Sequence, residues 1–224
     1  MARRSRQLPL ELPTWGGKRK NTGRKRKPGA RRCVAHRPRP KLGRGIPVHT
    51  TLRARREVPS LRNERVFLEI RDAIRKASRT FFRIAHFSVQ GDHIHLIIEA
   101  TDRDALILGM RGLTIRLARA INRATGDKGK VWGDRYHVQP LTSPRQIRNT
   151  LLYVLANWRK HFHVAPRPAL DPRSSAAWFD GWQDRPPDPD DDPPVVSPRT
   201  WLLAHGWRSH GLLSPSAVPG PRPT

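Results

Sequence analysis

From Phe81 to Ala100 the chain reads "FFRIAHFSVQGDHIHLIIEA". Two apolar runs, rich in β-branched and aromatic residues, meet at the polar break Gln90, Gly91 and Asp92. Such a break between such runs specifies a β-hairpin. A lone hairpin is marginal in water, so this one needs further strands and a layer to cover its apolar face. Ile94, Leu96 and Ile98 alternate with His93, His95 and Ile97. A strand sends these two sets to opposite faces. One face is therefore fit to be buried, while the other opens with two imidazoles side by side.

The flanking segments supply the missing layers. Upstream, "IPVHTTLRA" alternates Val48, Thr50 and Leu52 against His49, Thr51 and Arg53, the pattern of a half-buried strand. "VPSLRNERVFLEIRDAIRKAS" follows, with Val66, Phe67, Ile70, Ala73, Ile74 and Ala77 at helical spacing and Ser60 as the expected N-cap. Downstream of the hairpin, Leu106, Met110, Leu113, Leu117 and Ile121 stripe a second helix. Gly109 and Gly112 weaken that helix but allow close packing on a sheet. "VWGDRYHVQPL" reads as a fourth strand. Thr142 or Ser143 then caps a third helix, with Pro144 in its first turn, running through "RQIRNTLLYVLANWRKHF". The first six elements follow the split βαβ order, so the expected class is α+β: a ferredoxin-like antiparallel sheet with two helices on one face and the other face left free.

Composition sets the surroundings of this domain. In 224 residues the net charge is +26, which speaks of polyanionic partners rather than of fold. Residues 1–45 carry "KRKNTGRKRKPGARR" and little to bury, so they read as a solvated basic arm. Arg24, Lys25, Arg26 and Lys27 are its densest phosphate-binding candidates. The expected domain spans 46–163. Residues 164–224 form a Pro- and Asp-rich extension with a short helix near Ser197 and Pro198, whose Trp201, Leu202 and Leu203 need something to bury against. No apolar run approaches the roughly 18 residues of a membrane span, and the N-terminus lacks a signal-peptide core. We expect an intracellular, cytoplasmic protein without a membrane partner. Cys33 is the single cysteine, so neither an intramolecular disulfide nor a multi-cysteine zinc site can form.

An H-x-H pair on a strand is, in isolation, more often ordinary polarity than a metal site. The third helix changes that balance. Tyr153 and Asn157 stand four apart and share a helix face, extended by Asn149, whereas Ile147, Leu151, Val154, Leu155 and Trp158 lie mostly on another arc. A phenol is a potential nucleophile and an amide oxygen a potential metal ligand. Two imidazoles with a divalent ion could polarise a phosphate that Tyr153 attacks, and Asn157 could complete the coordination.

At these residues the sequence resembles the HUH single-strand transposases, in particular the REP-associated tyrosine transposases. The His93-Ile94-His95 triplet followed by "LIIE" matches the family's histidine motif, and "YVLAN", Tyr153 to Asn157, matches its single-tyrosine motif. "PVHTTLR", "VPSLR", "FSVQGDHIHL" and "DRYHVQPL" extend the likeness over roughly Pro47 to Phe162. The resemblance implies a transposase: an endonuclease and transesterase that cuts and rejoins single-stranded or hairpin DNA through a covalent 5′-phosphotyrosine on Tyr153. It also implies Mg2+ or Mn2+ as cofactor, held by His93, His95 and Asn157, and leaves both a monomer and a homodimer open. The chain departs from the family's habit at Asp92, commonly Asn, and at Trp158, where REP-associated relatives usually have Pro.

Other residues rank lower. Tyr136 is the second candidate nucleophile; His49 and His137 lie on strands that could reach the same face. Glu99 shares the strand with the histidines but stands about 13 Å or more from them at strand rise, too far for a direct ligand. Arg135 and Arg148 are candidate phosphate contacts. Two other functions remain: a hairpin-binding protein of the same fold that no longer cuts, for which the charge alone suffices, and an RNA-binding module, which lacks an identifiable aromatic pair for stacking bases.

Overall fold

The structure is a computed structural model. It describes residues 42, 43, 45–156, 158, 170–184, 187 and 189–218. All described residues belong to one compact unit, Val34–Thr224. The basic run at Arg24 to Lys27 and the proposed ligand Asn157 lie outside the described residues.

Its elements are β1 (Val48–Arg53), α1 (Glu64–Arg75), β2 (Phe82–Val89), β3 (His93–Ala100), α2 (Arg103–Thr125), β4 (His137–Pro140), α3 (Pro144–Ala156) and the single turn α4 (Trp201–Ala204). The strands form one antiparallel sheet in the order β2-β3-β1-β4. This is the ferredoxin-like arrangement, with the hairpin at one side and the first strand inserted between β3 and β4.

Alternation sorts the side chains as the sequence dictates. Val48, Leu52, Ile94, Leu96 and Ile98 pack with Val66, Phe67, Ile70 and Ile74 of α1 and with Leu106, Met110, Leu113, Leu117 and Ile121 of α2. Strand β2 changes parity midway: Phe82 and Ile84, then Phe87 and Val89, face this core, because Ala85 is an extra residue where the register jumps from Ile84 to His86. A bulge of this kind lets both halves of an irregular run bury their large side chains. Gly109 allows α2 to seat on β2, since a Cβ there would lie 2.1 Å from the Phe82 ring.

Local expectations needed correction in three places. Asn63 caps α1, its side chain accepting from the amides of Arg65 and Val66, whereas Ser60 begins the preceding turn by accepting from Asn63 N–H through its carbonyl. The fourth strand is shorter than its sequence suggests: Trp132 forms only an isolated bridge with Ala54, and residues 133–136 separate it from the four-residue β4. The second sheet face is not left free. Helix α3 and the C-terminal segment cover it: Ala85, Ile97, Leu141, Ile147, Leu151, Val154 and Leu155 share a core with Ala176, Phe179, Trp182, Leu203, Trp207 and Leu213. Trp201, by contrast, is exposed.

The same segment protects the sheet edge. Val89 N–H donates to the Arg173 carbonyl, Ser175 N–H to that of Phe87, and Val196 N–H to that of Ile84. Unpaired groups of β2 that would otherwise template aggregation are thereby engaged at both ends of the strand. Two buried carboxylates anchor this cover. Asp171 accepts two bonds from the Arg62 guanidinium, at 2.7 and 3.0 Å, and Glu99 accepts from the amides of Arg199 and Thr200 and from the Thr200 hydroxyl. Glu99 thus fastens β3 to the start of α4.

Candidate active site

The antiparallel register of β1 and β3 sets Thr51 opposite His95 and Arg53 opposite His93, with His49 opposite Ile97. Directly paired residues share a face. His49, Thr51, Arg53, His93 and His95 therefore gather on the face turned towards α3, while their neighbours in sequence anchor both strands to the other core.

The imidazoles of His93 and His95 converge, with ring centroids 4.7 Å apart and planes nearly perpendicular. His93 is held from outside the sheet: its Nδ1 lies 2.6 Å from Asp92 Oδ1, and Arg53 in turn grips Asp92 Oδ2 through Nε and Nη2 at 3.0 and 2.7 Å. The turn carrying Asp92 is fixed as well. Gln90 N–H donates to the His93 carbonyl, and the carbonyls of Gly91 and Asp92 accept from Leu61 and Ala54. Burial raises the Asp92 carboxyl, but the hydrogen bonds from His93 and Arg53 outweigh it and hold the group below its ordinary value.

His95 is buried and meets different partners. Its Nδ1 lies 3.1 Å from His49 Nε2 and 3.2 Å from Thr51 Oγ1. Tyr153 arrives from α3. That helix begins where Ser143 accepts the Gln146 amide and the Gln146 side chain accepts from Thr142 N–H, an arrangement akin to a capping box. Ile147, Leu151, Val154 and Leu155 bury α3 against the second core. This turns the half-buried Tyr153 onto the imidazoles: its ring stands edge-on to His95 at 5.2 Å and to His49 at 6.0 Å.

The structure thus gathers His93, His95 and Tyr153 within one chain. It adds His49, which a strand position alone had not distinguished; only knowledge of the β1–β3 register puts it against His95. Tyr136 packs instead against the core under α1 and α2. His137, exposed at the start of β4, pairs with Thr51 and belongs to the same face. Arg135 is exposed near the outer end of the sheet, and the Arg148 guanidinium donates to the carbonyls of Gly211 and Leu212.

Among the described residues no three His, Cys, Asp or Glu side chains are grouped as metal ligands. Two imidazoles still suit a divalent ion. A ring whose Nδ1–H is given to a carboxylate presents the lone pair of Nε2, the usual arrangement behind a ligating histidine, and His93 with Asp92 has the geometry for it. Any further donor must come from beyond this group, and Asn157 is the sequence's candidate. No helix among the described residues is long and apolar enough to cross a membrane.

Comparison with known proteins bears on the family and the fold. The family described as "Transposase IS200 like" matches residues 44–157, half of the chain. A solved REP-associated tyrosine transposase bound to a REP hairpin superposes with a TM-score of 0.54 at 20% identity, covering 71% of this chain and 93% of that one. A second structure, described as a transposase of Deinococcus radiodurans R1, reaches a TM-score of 0.37 at 19% identity, covering 59% of this chain and 98% of that one. No curated protein matches the chain.

Proposed function

The chain belongs to the IS200-like transposase family, and from that premise we propose that it cuts and rejoins single-stranded DNA through a covalent bond between Tyr153 and a 5′ phosphate. The observation that carries this reading is the Tyr153 ring lying against His95 in the same chain, 5.2 Å between centroids, beside the His93 and His95 pair. The phenol oxygen attacks phosphorus and releases its proton. The P–O3′ bond breaks, and the departing oxygen leaves as a 3′ hydroxyl. The new phosphodiester conserves the energy of the old one, so attack by another 3′ hydroxyl rejoins DNA without ATP.

His93, His95 and Asn157 would hold Mg2+ or Mn2+, which when bound supplies Lewis-acid polarisation of the scissile phosphate. The protein's own contribution is to place the nucleophile. A phenol on a helix whose apolar face is buried keeps its position relative to a phosphate seated at the imidazoles, and such positioning is a large part of catalysis. The meeting of Tyr153 with the histidines within one chain supports a reading in which one subunit supplies both parts of the site.

A hairpin is the proposed DNA form; the solved relative bound to a REP hairpin supports it. Residues 1–45 are proposed as a phosphate-binding arm, 46–163 as the catalytic domain and 164–224 as an extension that braces the sheet, with Arg135 as a further phosphate contact. A hairpin binder that does not cut is the second reading, favoured by the net charge of +26, which suffices for binding whatever the active site does. Incubation of the protein with single-stranded hairpin DNA and Mg2+ or Mn2+, followed by a denaturing gel, separates the two. A protein–DNA adduct supports cutting; binding with no adduct from any hairpin in either metal supports the second reading.

A further inference from the structure

The two histidines of the H-x-H pair are held by different means, and the difference assigns a role to His49. His93 Nδ1 faces a carboxylate, which can only accept from it at neutral pH. His95 Nδ1 faces a second imidazole, His49 Nε2, together with the Thr51 hydroxyl. A neutral imidazole is donor at one nitrogen and acceptor at the other, so this contact has two senses. If His49 donates, His95 is protonated at Nε2 and that atom cannot bind a cation. If His95 donates, its lone pair lies on Nε2, as it does on His93.

We propose that His49 is a positioning residue: it accepts the Nδ1 proton of His95 and so commits Nε2 of His95 to metal binding, as Asp92 does for His93. The inference rests on the metal-dependent reading above. Three observations support it. His49 and His95 are both almost wholly buried, at 1% and 2% exposure, so water competes little for their contact. Their strands are neighbours in register, which fixes the spacing of the rings. The Thr51 hydroxyl, which can donate or accept, adjoins the same Nδ1 and restrains the His95 ring from a second direction. The rings are tilted by 32° with centroids 5.2 Å apart, and Tyr153 abuts both, so the side chain that orients the ligand also lies against the proposed nucleophile.

The test compares Mn2+ affinity in the full-length protein, read by the electron spin resonance of free Mn2+, for wild type, His49→Phe and His49→Gln. Phenylalanine fills the space without an acceptor, whereas glutamine can offer a carbonyl oxygen near the place of Nε2. Loss of an orienting partner of this kind typically costs 10- to 100-fold in metal affinity. The expected result is at least a tenfold loss for His49→Phe, substantial recovery in His49→Gln, and unchanged hairpin binding by both variants in EDTA. Wild-type affinity in His49→Phe overturns the role of His49 while leaving the metal-dependent reading intact; no Mn2+ binding by wild type overturns both. Should His49→Phe fail to fold, nitrogen-15 NMR of the wild-type imidazoles decides: a metal-free His95 protonated at Nδ1 supports the assignment, and one protonated at Nε2 overturns it.

Discussion

Tyr153 of α3 and His95 of β3 meet edge to face, 5.2 Å between ring centroids, on the sheet face that α1 and α2 do not cover. This contact joins the two sequence motifs into one site, and it depends on everything that seats α3 on the sheet. The C-terminal segment belongs to that support: Phe179, Trp182, Trp207 and Leu213 share the core in which Leu151 and Val154 hold the helix.

The anchor of that segment should therefore be costly to remove. Asp171 is fully buried in its side chain and paired with Arg62, which is 16% exposed. Replacing Arg62 by Ala leaves a buried carboxylate without its cation, a change that typically costs about 3–5 kcal/mol. Urea unfolding should show the midpoint falling accordingly. An unchanged midpoint would mean that Asp171 finds water or another donor when Arg62 is gone.

The two glycines of α2 should behave oppositely. Alanine at Gly112 meets open space and should stabilise the helix by up to about 1 kcal/mol. Alanine at Gly109 would press a methyl into the Phe82 ring and should destabilise by roughly 1–3 kcal/mol, as overpacking does. Thermal denaturation of the two variants side by side reads the difference in sign.

Acid should weaken the fold through His86. Burial lowers its pKa from 6.5 to about 4, Asp180 opposing the shift. Above pH 6.5 the ring is neutral in both folded and unfolded chains. Between 6.5 and about 4 the unfolded chain takes up a proton that the folded one refuses, so stability falls as pH falls, by a few kcal/mol at most. Urea midpoints for wild type should drop more between pH 7.5 and 4.5 than those of His86→Gln. Parallel profiles would remove His86 as the cause.

The sheet and its first two helices were legible in the sequence because period-two and period-3.6 patterns there are clean, as in Ile94, Leu96 and Ile98 or in Leu106, Met110, Leu113 and Leu117. What was hidden depends on contacts between distant segments. The cover on the second face was legible only as aromatics in need of a surface; which face they bury against was not, since Phe179, Trp182 and Trp207, on either side of the Pro- and Asp-rich text, follow no periodicity although they are buried. His49 was indistinct for the same reason: its partner is set by strand register, which no local pattern states. Ser60 misled because both Ser and Asn favour helix starts, and the intervening turn placed Asn63 at the helix.

Hairpin affinity should decline steeply with salt if the arm contacts phosphates. Replacing Arg24, Lys25, Arg26 and Lys27 together by Ser should reduce the slope of log K against log salt by roughly 3, at about 0.7–0.9 per phosphate contact. An identical slope in the variant would place the contacts elsewhere on the protein.

The most direct measurement is the covalent bond itself. Wild type, Tyr153→Phe and Tyr136→Phe are incubated with Mn2+ and a hairpin bearing a single-stranded flank, and adducts are resolved on a denaturing gel and mapped by mass spectrometry of the attached peptide. Wild type and Tyr136→Phe should give an adduct on the peptide containing Tyr153, and Tyr153→Phe should give none while still binding the hairpin. An adduct that survives in Tyr153→Phe would contradict the account.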